Sequence, residues 1–199
     1  KSTNSSNDLF TYILSNNLLR SLPHQKLKKK LHIAKLNSDI DLYTNQKISD
    51  VRSSSYHVDH IFELQCFSHV ISMALSKLDC DYAAFNVLRD RLVKIINSDF
   101  NLNVTDKQAN LVKMNVFKEF IKRRREDSIH PSLIRFFRNS ANFNKNISLF
   151  CCTLRNACKL IRQQLVIYMN ESSRILSNVI KRIIDEFDIF YNSLQIEDY

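Results

Sequence analysis

The most restrictive feature of this 199-residue sequence is that it has no glycine and only two prolines, Pro23 and Pro131. Tight hairpins, phosphate-cradling loops and dinucleotide-binding loops need glycine where φ is positive or where a ligand approaches the backbone closely. Those classes are therefore excluded. The composition remains compatible with helices that end at Asn, Asp and Ser. We predict a mainly α fold, a single-domain irregular helical bundle of about six to eight helices over residues 1–199, with a short strand pair near residues 54–62 as an option.

Hydrophobic spacing predicts where these helices lie. Apolar residues recur at helical intervals in residues 7–22, 58–78, 81–96, 106–127, 148–169 and 172–195, with Thr105 as the N-cap of the fourth of these segments. Residues 23–55 are predicted to be a basic arm and irregular connection, in which residues 24–36 form either a basic helix or a mobile arm. A strand over Tyr56 to Phe62 is the alternative for the start of the helix predicted at 58–78. The 44% of hydrophobic residues are enough for a buried core.

Net charge indicates the class of partner. The chain has 29 Lys and Arg against 20 Asp and Glu, which gives a net charge of +9. Such a surplus favours an anionic partner, with nucleic acid ahead of an acidic protein or a membrane surface. An AT-rich genome, whose codons raise the Lys and Asn content, is the alternative explanation. No apolar run approaches the roughly 20 residues of a transmembrane helix, so we expect no membrane partner.

The five cysteines predict no metal or cofactor site. Their number is odd and their spacing fits no zinc motif. Free thiols that pack as small apolar residues explain them better than disulfides do. We therefore expect no cofactor.

Ionisable residues are concentrated in "YHVDHIFELQ", where His57, Asp59, His60 and Glu63 fall within seven positions. If a helix begins near Val58, the last three share a face of its first turn. Asp59 and Glu63 would then orient the imidazoles, and His57 and His60 would share the general acid and general base roles. Two such groups can cut RNA through its own 2′-hydroxyl without a metal ion. Ordinary capping of a helix N-terminus is the alternative.

The same residues carry a resemblance to known proteins. "YHVDHIFELQ" resembles an Asp/Glu-His-Ile/Val-x-Glu-Leu-Gln signature of fungal secreted proteins and, loosely, the Asp-His-Ile-x-Glu-Leu of HNH nucleases. In "NLNVTDKQANLVKMNVF", Asn101, Asn110 and Lys113 match further HNH positions. The HNH resemblance implies a metal-dependent nuclease in which His60 activates water and His60, Asn101 and Asn110 form the metal site. HNH sites use a short two-stranded hairpin with glycine, whereas the segment between His60 and Asn101 is predicted to be helical.

Motif and composition together are most similar to yeast killer-plasmid ribotoxins and their immunity homologues. Membership of the toxin group implies a metal-independent endoribonuclease that cleaves tRNA in the anticodon loop and leaves a 2′,3′-cyclic phosphate. It also implies secretion, action in the cytoplasm of a target cell, and a cognate immunity protein as partner. An immunity homologue would be cytoplasmic, would bind a toxin, and would share the fold without the chemistry. A homodimer is compatible with either.

A second basic set favours an RNA substrate. We predict that Lys113, Arg123, Arg124, Arg125 and Arg135 bind phosphates of the substrate. Arginine binds phosphate with two parallel hydrogen bonds, and neighbouring aromatic rings can stack on unpaired bases. For the three consecutive arginines, the alternative is that cations at a helix C-terminus stabilise the helix dipole.

Overall fold

The computed structural model describes residues 27–76, 82–126, 132–137 and 146–196. The helix predicted at residues 7–22 lies outside them. The described residues form seven helices and two strands: α1 (Leu27–Leu36), β1 (Tyr56–His60), α2 (Leu64–Leu75), α3 (Tyr82–Ile96), β2 (Leu102–Asp106), α4 (Lys107–Glu126), α5 (Leu133–Phe137), α6 (Ile147–Glu171) and α7 (Arg174–Leu194). The predicted mainly α bundle with a short strand pair is confirmed.

The strand pair corrects two local predictions. β1 pairs with β2 in an antiparallel ladder, so residues 58–60 are a strand, as in the alternative interpretation, and the helix begins only at Leu64. Thr105 is a buried residue of β2 and not a helix N-cap. Both errors have one cause, because strand pairing depends on a partner that is remote in sequence.

The two faces of the β1–β2 pair have different partners. Val58, Leu102 and Val104 pack against Ile33 and Ala34 of α1 in a small apolar cluster. The opposite face carries polar residues of both strands. Helix α4 contacts both strands. The sheet therefore has an apolar face towards α1 and a polar face on the other side.

The main core is rich in phenylalanine and is built around α7, which packs against both α2 and α6. Phe62 lies two residues after β1 and makes edge-to-face contacts with Phe187 and Phe190 of α7, with ring centroids 5.3 and 5.9 Å apart. Such aromatic contacts add to the stabilisation from burial. They fix the end of β1 against α7.

Residues 27–55, part of the predicted basic arm and connection, are packed against the sheet. Lys30 of α1 is buried and donates a hydrogen bond to the Ser53 carbonyl at 2.7 Å. Lys29 and His32 both bond Asp99, which lies just before β2. Residues 37–55 are turns, with one isolated bridge between Ile40 and Lys47. This connection carries residues of the site described below. None of the described helices is both long and apolar enough to span a bilayer.

Candidate functional site

The centre of the candidate site is the side-chain ammonium of Lys113 in α4. Its Nζ lies 2.9 Å from Asp59 Oδ2 and 2.6 Å from Glu63 Oε1, and it donates to the His60 carbonyl at 2.5 Å. The Lys113 side chain is 0% exposed, and those of Asp59 and Glu63 are 7% and 10% exposed. A strand, the turn after it and a helix therefore converge on one buried cation. We call these three side chains the buried ion triad.

Aromatic rings surround the buried ion triad. The Tyr43 hydroxyl donates to Asp59 Oδ2 at 2.7 Å. The rings of Tyr43 and Phe117 have their centroids 5.5 and 5.6 Å from Lys113 Nζ, within the range of cation–π attraction. The ammonium is thus held by carboxylates and by the faces of two rings.

The pKa values of Lys113 and Tyr43 follow from this environment. Burial by itself lowers the pKa of Lys113, but the negative charges of Asp59 and Glu63 and their hydrogen bonds outweigh burial, so the pKa is raised. Burial raises the pKa of Tyr43 well above its ordinary value, and the neighbouring Asp59 raises it further. At neutral pH the ammonium is therefore charged and the phenol is neutral, which leaves neither side chain able to act as a general base.

A third carboxylate, Asp41, organises the rest of the polar face. It is buried and accepts hydrogen bonds from Asn103 Nδ2 and Thr105 Oγ1 of β2, both at 2.8 Å. It also accepts from the Tyr43 backbone N–H at 2.9 Å and from Thr44 Oγ1 at 3.1 Å. A buried carboxylate with four donors is well satisfied. Asp41 therefore attaches the connection before β1 to β2.

Five residues of the candidate site were not among the predicted site residues: Asp41, Tyr43, Thr44, Asn103 and Thr105. The alternation in Leu102-Asn-Val-Thr-Asp106 was a usable signal, because it places Asn103 and Thr105 on one face of a strand. Asp41 and Tyr43 had no such signal, since they lie in an irregular connection.

The two predicted catalytic imidazoles point to opposite faces of β1. Successive residues of a strand alternate between faces, so His57 and Asp59 share one face and His60 lies on the other. His57 Nε2 is 3.1 Å from the Ser54 carbonyl oxygen, and His60 Nε2 is 3.0 Å from Asn97 Oδ1. The predicted helical face shared by Asp59, His60 and Glu63 does not exist, because these residues are not in one helix.

The predicted phosphate-binding residues are also separated. Lys113 is completely buried by its two carboxylates, so its ammonium does not reach the surface and its assignment as a phosphate contact is revised. Arg123 lies ten residues further along α4, about 15 Å away by the rise of the helix. It is exposed and its Nε lies 3.0 Å from Glu119 Oε1.

The remaining arginines of that set have different surroundings. Arg124 is half-buried, bonds Ser193 and lies 5.1 Å from the Phe190 ring centroid. Arg135 of α5 is exposed. The side chain of Arg125 lies outside the described part of the structure. Arg123 and Arg124 therefore bond residues outside the buried ion triad.

The residues matched to a metal site have other roles in this fold. Asn101 is buried; its Oδ1 accepts from the Phe62 backbone N–H at 2.7 Å and its Nδ2 donates to the Ile96 carbonyl at 2.8 Å. Its amide is therefore used by the backbone. Asn110 is half-buried in the first turn of α4, and His60 is bonded to Asn97. Within the described ranges, no three His, Cys, Asp or Glu residues are grouped so that they could hold a metal ion.

Comparisons of this chain with family models, with curated proteins and with solved structures find no match. Function therefore has to be inferred from the geometry of the side chains.

Proposed function

We propose that this chain is an RNA-binding protein without nuclease activity, in which the nuclease-like motif has a structural role. The observation that carries the proposal is the burial of the Lys113 ammonium between Asp59 and Glu63. It gives the two acidic residues of the motif a stabilising partner inside the protein. The proposal corresponds to the catalytically silent alternative and not to the ribotoxin.

Geometry supports the absence of cleavage. A general base has to lie about 2.6–3.2 Å from the proton it takes, or one water molecule away. Cutting RNA through its 2′-hydroxyl needs a base and an acid on either side of one phosphate. His57 and His60 lie on opposite faces of β1 and have separate partners. The carboxylates expected to orient them are bonded to Lys113 instead.

Charge supports RNA as the partner. The chain carries a net charge of +9, and among the described residues the buried cations are Lys30 and Lys113. Most of the described Lys and Arg side chains are therefore at least partly accessible to solvent. A surface with such an excess of positive charge binds phosphate backbones, with an affinity that falls steeply as salt rises. tRNA, the partner predicted from the sequence, is an RNA of this kind.

Incubation of the purified protein with labelled total tRNA tests both halves of the proposal. Fluorescence anisotropy should detect binding, and the logarithm of the affinity should fall linearly with the logarithm of the salt concentration. Denaturing gels should show intact RNA in EDTA and in Mg²⁺. Cleavage in either buffer would contradict the proposed absence of nuclease activity. If no binding is detected even at low salt, RNA is not the partner.

One observation favours a second candidate, the endoribonuclease. The hydrogen bond between His60 and Asn97 fixes an imidazole at the end of β1, as a general base requires. If the tRNA is cut in EDTA, His60→Ala should lower the rate by about two to four decades, and His57→Ala should show whether a second imidazole takes part. Cleavage that needs Mg²⁺ would favour the HNH-like alternative.

A further inference from the structure

A groove runs between α6 and α7 on the surface of the helical layer. Its walls include three basic residues of α6 and three residues of α7: Arg155, Lys159, Arg162, Phe187, Asp188 and Tyr191. The groove has a volume of about 470 Å³. We call it the basic groove. A volume of this size is within the range of pockets that hold small ligands.

The basic residues of the groove form a row. Arg155, Lys159 and Arg162 are spaced at i, i+4 and i+7, so they lie on one face of α6 and extend over about 10 Å. Among the described residues of the lining, Asp188 is the only acidic one, so their charges sum to a net positive value. A linear polyanion fits a row of this kind better than a compact anion does.

Arg162 is held in position by Asp188. The guanidinium makes two parallel contacts with the carboxylate, Nε to Oδ1 at 2.8 Å and Nη2 to Oδ2 at 2.9 Å. Arg155 Nη1 donates a hydrogen bond at 3.4 Å to the carbonyl of Ile196, two residues after the end of α7. Lys159 is exposed and makes no hydrogen bond or ion pair with any described residue. It is therefore the cation best placed to meet a ligand.

Aromatic side chains of α7 contribute the opposite wall. Phe187 is buried beneath the groove, and Tyr191 is half-buried and lines it. An accessible ring beside cations is the arrangement that proteins use to bind unpaired nucleic acid, since bases stack on the ring and phosphates meet the cations. Double-stranded RNA keeps its bases stacked inside the helix and cannot use such a ring.

We propose that the basic groove binds an unpaired segment of RNA, with a base against Tyr191 and phosphates along Arg155, Lys159 and Arg162. This inference rests on the proposed function, because it names the surface through which the protein would contact RNA. It also specifies single-stranded RNA as the class of ligand.

Neutralising one lysine tests the row of cations. The probe is a fluorescein-labelled oligouridylate of about 12 nucleotides, within the range of single-strand site sizes. We expect Lys159→Gln to weaken binding and to reduce the slope of log affinity against log salt by about 0.7, the value for one phosphate contact on a single strand. The matched control is Lys181→Gln, because Lys181 is exposed on α7 but does not line the groove. It should leave the slope nearly unchanged.

Two further variants test the other elements of the groove. Tyr191→Leu should weaken binding of the oligouridylate about tenfold, from the loss of stacking, and should leave binding of a labelled RNA duplex unchanged. Asp188→Asn removes the opposing charge and should tighten binding several-fold. Thermal unfolding by circular dichroism verifies that each variant is folded.

The outcomes separate the groove from the proposed function. If the wild-type protein binds neither RNA probe, both proposals fail. If it binds RNA and Lys159→Gln behaves like Lys181→Gln, RNA binding stands and the basic groove is the wrong surface. Competition by polyglutamate as effective as that by unlabelled oligouridylate would also overturn the groove proposal, because the ligand would then be an acidic polypeptide.

Discussion

Asp59 of β1 and Lys113 of α4 form a buried ion pair, with Lys113 Nζ 2.9 Å from Asp59 Oδ2. The pair joins the sheet to the helix that contacts both of its strands, and Glu63 is the second carboxylate on the same ammonium. Removing charges from water is costly, so a buried pair is stable only when its geometry and its additional hydrogen bonds are good. Tyr43 provides one of those bonds to Asp59.

Lys113→Met should strongly destabilise the protein. The substitution leaves the Asp59 and Glu63 carboxylates buried without their cation, and we expect the free energy of unfolding to fall by about 3–5 kcal/mol in urea denaturation. Adding Asp59→Asn and Glu63→Gln to this variant should recover part of the loss. Lys118→Met, at an exposed position of the same helix, is the control and should change stability by less than about 0.5 kcal/mol. Equal effects at both positions would contradict the importance of the triad.

Stability should decrease as the pH rises above about 10, because the pKa values of Lys113 and Tyr43 are both raised in the folded protein. In the unfolded chain both groups lose their protons at ordinary values, whereas the folded chain retains them. The unfolded state therefore binds fewer protons in this range, and the free energy of unfolding declines with pH.

Urea titrations at about pH 8 and about pH 11 measure this decline. The variant Tyr43→Phe lacks one of the two groups and should show a shallower decrease. A denaturation midpoint that is the same at both pH values would contradict the expected pH dependence.

Asp41→Ala should also cost stability, although Asp41 lies in an irregular connection. Its carboxylate accepts hydrogen bonds from Asn103 and Thr105 of β2, which would become buried donors without an acceptor. We expect a loss of about 3 kcal/mol in chemical denaturation. Asp185→Ala at an exposed site of α7 serves as the matched control and should have little effect. A loss no larger than that of the control would mean that Asp41 does not hold the connection to the sheet.

Thiol reactivity should differ sharply between neighbouring residues of α6. Cys152 is exposed, whereas Cys66, Cys151 and Cys158 are buried. Burial also raises the pKa of Cys151 to about 11 and therefore suppresses its reactive thiolate. In a Cys80→Ser background, native protein treated with a thiol reagent should show one fast-reacting group, and this group should be absent after Cys152→Ser. Fast reaction of a second thiol would contradict the burial of Cys66, Cys151 and Cys158.

The bounds of the helices with a continuous hydrophobic repeat were predicted almost correctly. The segments 148–169 and 172–195 correspond to α6 at Ile147–Glu171 and α7 at Arg174–Leu194. In these segments the apolar stripe covers many turns and matches burial against a neighbouring helix, so local pattern and tertiary packing agree.

The strand pair was predicted only as an option near residues 54–62. The second strand, β2, was not predicted, because Thr105 was taken as a helix N-cap. β1 and β2 are short. Each is close in sequence to a longer helix, and the hydrophobic repeat of that helix dominates any sequence window that includes the strand. What selects the strand at Val58 is its pairing with Val104 and the packing of both residues against α1. Such contacts between remote segments are not visible in local spacing.

The prediction placed the acidic residues of the candidate site close together, but it did not predict how they are organised. Asp59 and Glu63 do lie together, as their closeness in sequence indicated. Their shared partner Lys113 had been assigned to phosphate, because a sequence pattern does not show whether a lysine will be buried. The imidazoles of His57 and His60 were assigned to one site because a helix was assumed, and a strand separates them.

The pairing of β1 with β2 has a consequence for how the chain reaches its native state. The ladder joins segments separated by roughly forty residues, and closing so long a loop costs entropy before any strand contact is gained. Helices α2 and α3 lie within that loop and can form from local contacts. We therefore expect these helices to form first and the strands to join late, so that the rate of folding is set by the sheet although most of the molecule is helical.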